Sequence, residues 1–199
     1  MIDESFRSIL PRFVGPILKA YQNLGLSPNA ITLFGFVLSC LAAVMIAMHL
    51  YIPAVAMWWL GRLFDGTDGI YARNTNQTSD FGAFLDILCD MASYSVMIIG
   101  FNLAFPHLQS SWMIIMLLYV LCITGALSLG HIEERKKIPS KNNRGLRLAS
   151  GIAEGGETGM AYTLFLIFPQ YIENLIVVWI GILFFTVLAR VILAKKELK

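Results

Sequence analysis

Long apolar runs separated by short polar connections dominate the chain from residue 30 onward. A helix needs about 20 apolar residues to cross the hydrocarbon core. Six segments meet that length: 30–50, 52–72, 81–104, 111–131, 151–169 and 171–193. Pro53, Pro106 and Pro169 fall at or near their ends, where a missing N–H does least harm. The second and third segments are interrupted by aspartates. Ahead of all six, Phe6, Ile9, Leu10, Phe13 and Ile17 recur near helical spacing, with Arg7, Arg12 and Lys19 between them. That pattern predicts an amphipathic helix on the membrane surface within residues 1–28. The expected fold is an all-α integral membrane protein. Six transmembrane helices over 29–199 follow the interfacial helix, in a single domain of 199 residues.

Composition sharpens this picture. The chain is 57% hydrophobic and only 14% charged, whereas soluble domains carry about a quarter charged residues. Both a soluble fold and intrinsic disorder are therefore disfavoured. The net charge of +2 is too small to point to nucleic acid. Cys40, Cys89 and Cys122 lie within apolar runs and form no CxxC pair, so they read as buried small residues. Asp3, Glu4, Arg7, Pro11 and Pro16 argue against a cleavable signal peptide. His49, His107 and His131 sit at span ends and suggest no chemistry.

The fifteen Lys and Arg residues set the topology. With six spans, every one of them falls on one side. The opposite connections near 50–53, 105–110 and 169–172 contain none. Positive charge stays in the cytoplasm, so both termini are expected there, in an inner or cytoplasmic membrane. A count of five or seven spans would break the pattern.

Candidate chemistry is concentrated at 65–90. Asp65 and Asp68 are three apart and share one face of the second span. Asp86 and Asp90 are four apart and share one face of the third. The short polar connection 74–80 is expected to make the two helices antiparallel neighbours, so four carboxylates converge at the cytoplasmic end. A lone ionised carboxylate at membrane depth costs roughly 3 kcal/mol, and four together repel one another. A divalent cation resolves both problems, and hard oxygen ligands suit Mg²⁺ or Mn²⁺. Two such ions bridged by carboxylates form a clamp for phosphoryl transfer. Gly69 permits close approach of a phosphate, and Arg73 offers a fork of donors.

The run Asp65-x2-Asp68-Gly69-x2-Ala72-Arg73-x8-Gly82-x3-Asp86-x3-Asp90 resembles the signature of the CDP-alcohol phosphotransferase family. Eight fixed residues over 26 positions are all filled at their proper spacing, which makes the likeness far more specific than a lone DxxD. Leu26 to Thr32, just before the first span, resembles the family's segment at that place, and the six-span plan is similar too. The resemblance implies transfer of a substituted phosphate from a CDP-linked donor to an alcohol, with release of CMP. It implies that Asp65, Asp68, Asp86 and Asp90 hold metal, with two ions expected, and that Asp90 is also the general base. It assigns Asn29, Ala30, Ile31, Thr32, Gly69, Arg73 and Ser79 to the CDP moiety. A homodimer is implied as well.

The expected donor is CDP-diacylglycerol and the expected role is phospholipid synthesis. Glu154 and Glu157 share a face at the start of the fifth span and suggest an acceptor-side role. Lys137, Arg144 and Arg147 in the preceding basic loop are further candidates. Family members that use glycerol phosphate or inositol phosphate tend to carry arginines where this chain has glycines and glutamates. A polyol or amino-alcohol acceptor suits those glutamates better. Two other readings remain. One transfers a CDP-linked head group to diacylglycerol at the same site. The other is a cation carrier using the intramembrane carboxylates, although it would have no use for Gly69, Ala72, Arg73 and Gly82 at these spacings.

Overall fold

The computed structural model describes residues 14–135 and 155–197, and every regular element among them is helical. They are α1 (Gly15–Asn23), α2 (Pro28–Ala47), α3 (Tyr51–Asn74), α4 (Asp80–Ala104), α5 (Gln109–Arg135), α6 (Gly155–Ile167) and α7 (Ile172–Glu197). Single tight turns at Pro106–Leu108 and Pro169–Tyr171 lead into α5 and α7.

Four stretches are long and apolar enough to cross a membrane: Pro28–Ala47, Asp80–Ala104, Pro106–Ile132 and Pro169–Lys196. The two other expected spans differ for identifiable reasons. α3 has the length, but Arg62, Asp65, Asp68 and Arg73 dilute its apolar character. The described part of α6 has 13 residues, which rise about 20 Å at 1.5 Å per residue, less than the hydrocarbon core. Residues 151–154 of that expected span lie outside the described residues.

The chain divides into two compact units at His107 and Leu108. In the first, α2 packs along both α3 and α4. Close approaches at small residues make this possible. A Cβ built on Gly61 of α3 would stand 2.9 Å from the Gly35 carbonyl oxygen of α2. A Cβ on Gly100 of α4 would stand 2.6 Å from the Ala43 carbonyl oxygen. The backbones of α3 and α4, by contrast, barely meet. They are antiparallel neighbours, as expected, but α2 supports both, and side chains such as Arg62 and Tyr94 bridge the space between them.

Ser27 caps α2, its side chain accepting from the Ala30 N–H at 3.3 Å. Ser79 caps α4 in the same way, accepting from the Gly82 N–H at 3.0 Å. Each satisfies a donor that a helix start leaves open.

α1 carries Ile17, Leu18 and Tyr21 onto Ile31, Phe64 and Tyr71. Part of its apolar face thus packs on protein. The expected surface residues Phe6, Arg7, Ile9, Leu10, Arg12 and Phe13 lie outside the described residues. The Tyr21 phenol reaches the Thr67 hydroxyl at 3.0 Å, and burial raises it above its ordinary pKa. Tyr21→Phe is expected to lower stability by about 0.5–1.5 kcal/mol, one buried hydrogen bond. The loss is held small because Thr67 also donates to the Leu63 and Phe64 carbonyls. Thermal unfolding in detergent would check it, and a drop well beyond that range would mean that α1 docks through this contact alone.

In the second unit, α5 and α7 pack together and α6 lies against α7. Trp179 of α7 donates to the Tyr119 hydroxyl of α5 at 3.0 Å. Arg190 donates to the Cys122 carbonyl. Trp112 and Phe165 meet edge to face with ring centres 6.0 Å apart. Cys40, Cys89 and Cys122 are all free thiols, the last two buried.

Candidate active site

Helical spacing places Asp65 and Asp68 on α3 and Asp86 and Asp90 on α4. Asp65, Gly69 and Asp90 are partly buried, Asp68 is buried, and Asp86 and Arg73 are exposed. Arg62 ties Asp65 of α3 to Asp90 of α4, and Asp86 stands one turn before Asp90 on α4.

Three long-range contacts order this cluster. Thr32 of α2 donates to Asp68, and the other Asp68 oxygen accepts from the Gly69 N–H at 2.5 Å. Arg62 of α3 donates through one nitrogen, Nη1, to the Asp90 carboxylate. The same nitrogen lies 3.4 Å from Asp65 Oδ2 and 3.2 Å from the Tyr94 hydroxyl. The guanidinium also lies over the rings of Trp58, at 4.8 Å, and Tyr94, at 5.2 Å. From the sequence, Arg62 is a basic residue near the membrane edge and, with Arg73, a candidate partner for the aspartates. Its place three residues before Asp65 was the available signal, because i,i+3 pairs share a helix face.

A second group forms where α2 and α4 begin. A Cβ on Gly82 would stand 3.1 Å from Ser79 Oγ and 3.2 Å from Asn29 Oδ1. Asn29 and Ser79, 50 positions apart in sequence, thus meet over one glycine. Ser27 rather than Asn29 caps α2, which leaves the Asn29 amide for other work. Arg73 folds back over Gly69, its Nη1 3.4 Å from where a Cβ would be. Ala30 is exposed, whereas Ile31 is buried against Tyr21 and Tyr71. Ile31 therefore supports the segment from within the core, and Thr32 faces Asp68.

Of the residues expected on the acceptor side, Glu157 lies in the first turn of α6. Its Oε2 is buried without a hydrogen-bond partner. Glu154, Lys137, Arg144 and Arg147 lie outside the described residues.

The donor set bears on the expected metal. Among the described residues, no three His, Cys, Asp or Glu side chains are close enough to hold an ion. The physical reason is that Asp68 is turned to Thr32 and Gly69, while Asp65 and Asp90 are turned to Arg62. The chemistry nevertheless fits a hard divalent cation: all four groups are carboxylates. The structure itself sets a cation, the guanidinium of Arg62, between two of them.

In the first unit, helices able to cross a membrane stand with carboxylates and two arginines on α3 and α4, a placement that suits a membrane enzyme of phosphate-ester chemistry. The chain belongs to the CDP-alcohol phosphatidyltransferase family, whose pattern it matches over residues 25–188. It is therefore a membrane-bound transferase of phospholipid synthesis. It is 28% identical over 198 residues to the inner membrane protein YnjF of Escherichia coli (strain K12), covering 96% of this chain and 94% of that one. It is also 28% identical to the archaetidylinositol phosphate synthase of Methanothermobacter thermautotrophicus, covering 98% and 94%. The fold resembles the crystal structure of Mycobacterium tuberculosis phosphatidylinositol phosphate synthase with CDP-DAG bound. That comparison gives a TM-score of 0.65 and 20% identity over 90% of this chain and 92% of the other. The same enzyme in complex with manganese and citrate matches with a TM-score of 0.60 and 20% identity, covering 90% and 87%.

Proposed function

We propose that this enzyme transfers a phosphatidyl group from CDP-diacylglycerol to a small alcohol and releases CMP, at the cytoplasmic face of a six-span membrane domain. The observation that carries this reading is the placing of Asp65 and Asp68 on α3 and of Asp86 and Asp90 on α4, with Arg62 joining Asp65 to Asp90 across the two helices. The CDP-DAG bound in the mycobacterial neighbour supports the donor, and the manganese in its second structure supports a divalent ion. These four aspartates would hold Mg²⁺ or Mn²⁺, two ions by the family likeness. Such ions, when bound, neutralise pyrophosphate charge and stabilise the departing phosphate.

The remaining work belongs to the chain. Asn29 and Ser79, meeting over Gly82, present an amide and a hydroxyl to the nucleotide, with Ala30 exposed beside them. Arg73 over Gly69 presents a planar fork of donors to phosphate oxygens. Ile31 and Thr32 hold this segment against the core and against Asp68. Asp90 accepts the proton of the acceptor hydroxyl. The freed oxygen attacks the phosphorus that carries diacylglycerol, the bond to the CMP phosphate breaks, and CMP departs with that bond's electrons.

For the acceptor, we propose a polyol or amino alcohol, because the sequence carries Glu154 and Glu157 rather than arginines at the start of the fifth expected span. Inositol phosphate is the second reading. Relatives named as inositol phosphate synthases favour it, and Lys137, Arg144 and Arg147 would serve it. A homodimer is proposed on the family likeness.

The test is CMP release by detergent-purified protein given CDP-diacylglycerol, Mg²⁺ or Mn²⁺, and a panel of serine, inositol, inositol phosphate and glycerol phosphate. Acceptor-dependent CMP that disappears in EDTA is the expected result. Donor binding without turnover would place the acceptor outside the panel. Failure to bind CDP-diacylglycerol at all would overturn the donor. Labelled CDP-linked head groups would then test transfer to diacylglycerol, and cation flux in vesicles would test the carrier.

A further inference from the structure

We infer that Arg62 is a positioning residue of a particular kind: the internal counter-cation of the carboxylate cluster, which yields its place to the divalent ion. This rests on the reading that Asp65 and Asp90 hold metal. A single nitrogen of Arg62 bridges these two carboxylates across α3 and α4. That bridge offsets their mutual repulsion and joins α3 to α4. One positive charge and one hydrogen-bonding nitrogen cannot match a divalent ion, which carries twice the charge and takes about six oxygens. The guanidinium is therefore exchangeable.

The surroundings suit an exchange. Arg62 lies over the faces of Trp58 and Tyr94, a seat that does not depend on the carboxylates. The Tyr94 hydroxyl is already within 3.2 Å of Nη1. The buried Nε has no hydrogen-bond partner, so the guanidinium is not locked on every side. Released from Asp65 and Asp90, the cation keeps its aromatic seat beside the site instead of crossing apolar surface.

The consequence is a linkage between charge and metal affinity. Removing Arg62 deprives the empty cluster of its counter-charge and leaves the loaded cluster with one competitor fewer. The experiment is Mn²⁺ titration, by electron paramagnetic resonance of free Mn²⁺, on wild type, Arg62→Met and Arg62→Lys in detergent. Melting is followed in parallel in EDTA and in saturating Mn²⁺. Arg62→Met is expected to bind Mn²⁺ at least about fivefold more tightly, the effect of one unit charge a few ångströms away even when strongly screened. It is also expected to melt lower than wild type in EDTA and to gain more from Mn²⁺. Arg62→Lys keeps the charge and should bind within about twofold of wild type.

Arg62→Met that folds only with Mn²⁺ would support the exchange outright. Should it fold under neither condition, Arg62→Gln, which keeps a polar side chain without the charge, decides: tighter Mn²⁺ binding than wild type supports the inference, and equal or weaker binding overturns it. Equal or weaker Mn²⁺ binding by folded Arg62→Met overturns it as well. If wild type itself binds no Mn²⁺, the metal reading of the aspartates fails first, and that result is distinguishable from failure of the Arg62 inference alone.

Discussion

Asp90→Asn is expected to cut acceptor-dependent CMP release about 10³-fold, within the 10²–10⁴ range of general base catalysis, while the protein still folds and binds CDP-diacylglycerol. Asparagine keeps the size and shape of the side chain. Its amide oxygen still accepts from Arg62, so the bridge between α3 and α4 weakens without vanishing. The ability to take a proton is lost, because an amide is not a base near neutral pH. Asp90 is also the proposed group most exposed to two competing demands, metal and proton, so a neutral isostere tests both at once. The two are separated by measuring donor binding in Mn²⁺ beside turnover. Lost turnover with retained metal-dependent binding marks the base. Lost binding marks the ligand. Turnover near that of wild type would remove Asp90 from the chemistry.

Local spacing made the carboxylates legible. Three-residue and four-residue separations place Asp65 with Asp68 and Asp86 with Asp90 on single helix faces whatever the tertiary structure does. Arg62 beside Asp65 was within reach of the same spacing argument, but the partners that come from far away in sequence were not. Thr32 reaches Asp68 across 36 positions, and Arg62 reaches Asp90 across 28. Periodicity carries no information about such pairs. The family likeness places Thr32 with its neighbours at the nucleotide, and the structure adds that its hydroxyl is turned to Asp68. Ile31 belongs to the core: the aromatic cluster of Tyr21 and Tyr71 that buries it is assembled from three helices.

Hydropathy found the apolar helices by length, and it was weakest where function intrudes. The charges that make α3 useful also remove it from the helices that pass on length and apolar character. This is the expected place for pattern and structure to disagree, since active sites break the local rules that the rest of a fold obeys. That α3 and α4 are neighbours was legible in their short connection, whereas the part α2 plays was not. A five-residue connection usually joins direct neighbours, but α2 offers each of them a closer fit through glycine.

That fit sets the other large effect. Gly100→Leu is expected to abolish the native packing of the first unit, and Gly100→Ala to destabilise it by about 1–3 kcal/mol, the usual cost of overpacking. A Cβ at this position would lie 2.6 Å from the Ala43 carbonyl oxygen, 2.9 Å from its Cα and 3.1 Å from its carbonyl carbon. All three are backbone atoms inside α2, so no side chain can rotate to make room, and the helices must separate. Leucine adds three more carbons in the same direction. The damage reaches the site because Asp90 lies ten residues before Gly100 on the same helix, nearly three turns away. α4 leaning off α2 withdraws Asp90 from Arg62 on α3. The matched control is Gly125→Ala in α5, or Gly181→Ala in α7, where a Cβ meets nothing within 4 Å. Either should change stability by no more than about 1 kcal/mol, the helix-propensity difference between glycine and alanine. Melting in detergent, read beside Mn²⁺ affinity, checks both parts. Gly100→Ala should melt lower and bind Mn²⁺ more weakly, whereas the controls should do neither. A Gly100→Leu protein that melts with wild type would mean that α4 is not held against α2 at this crossing, and the support proposed for Asp90 would fall with it.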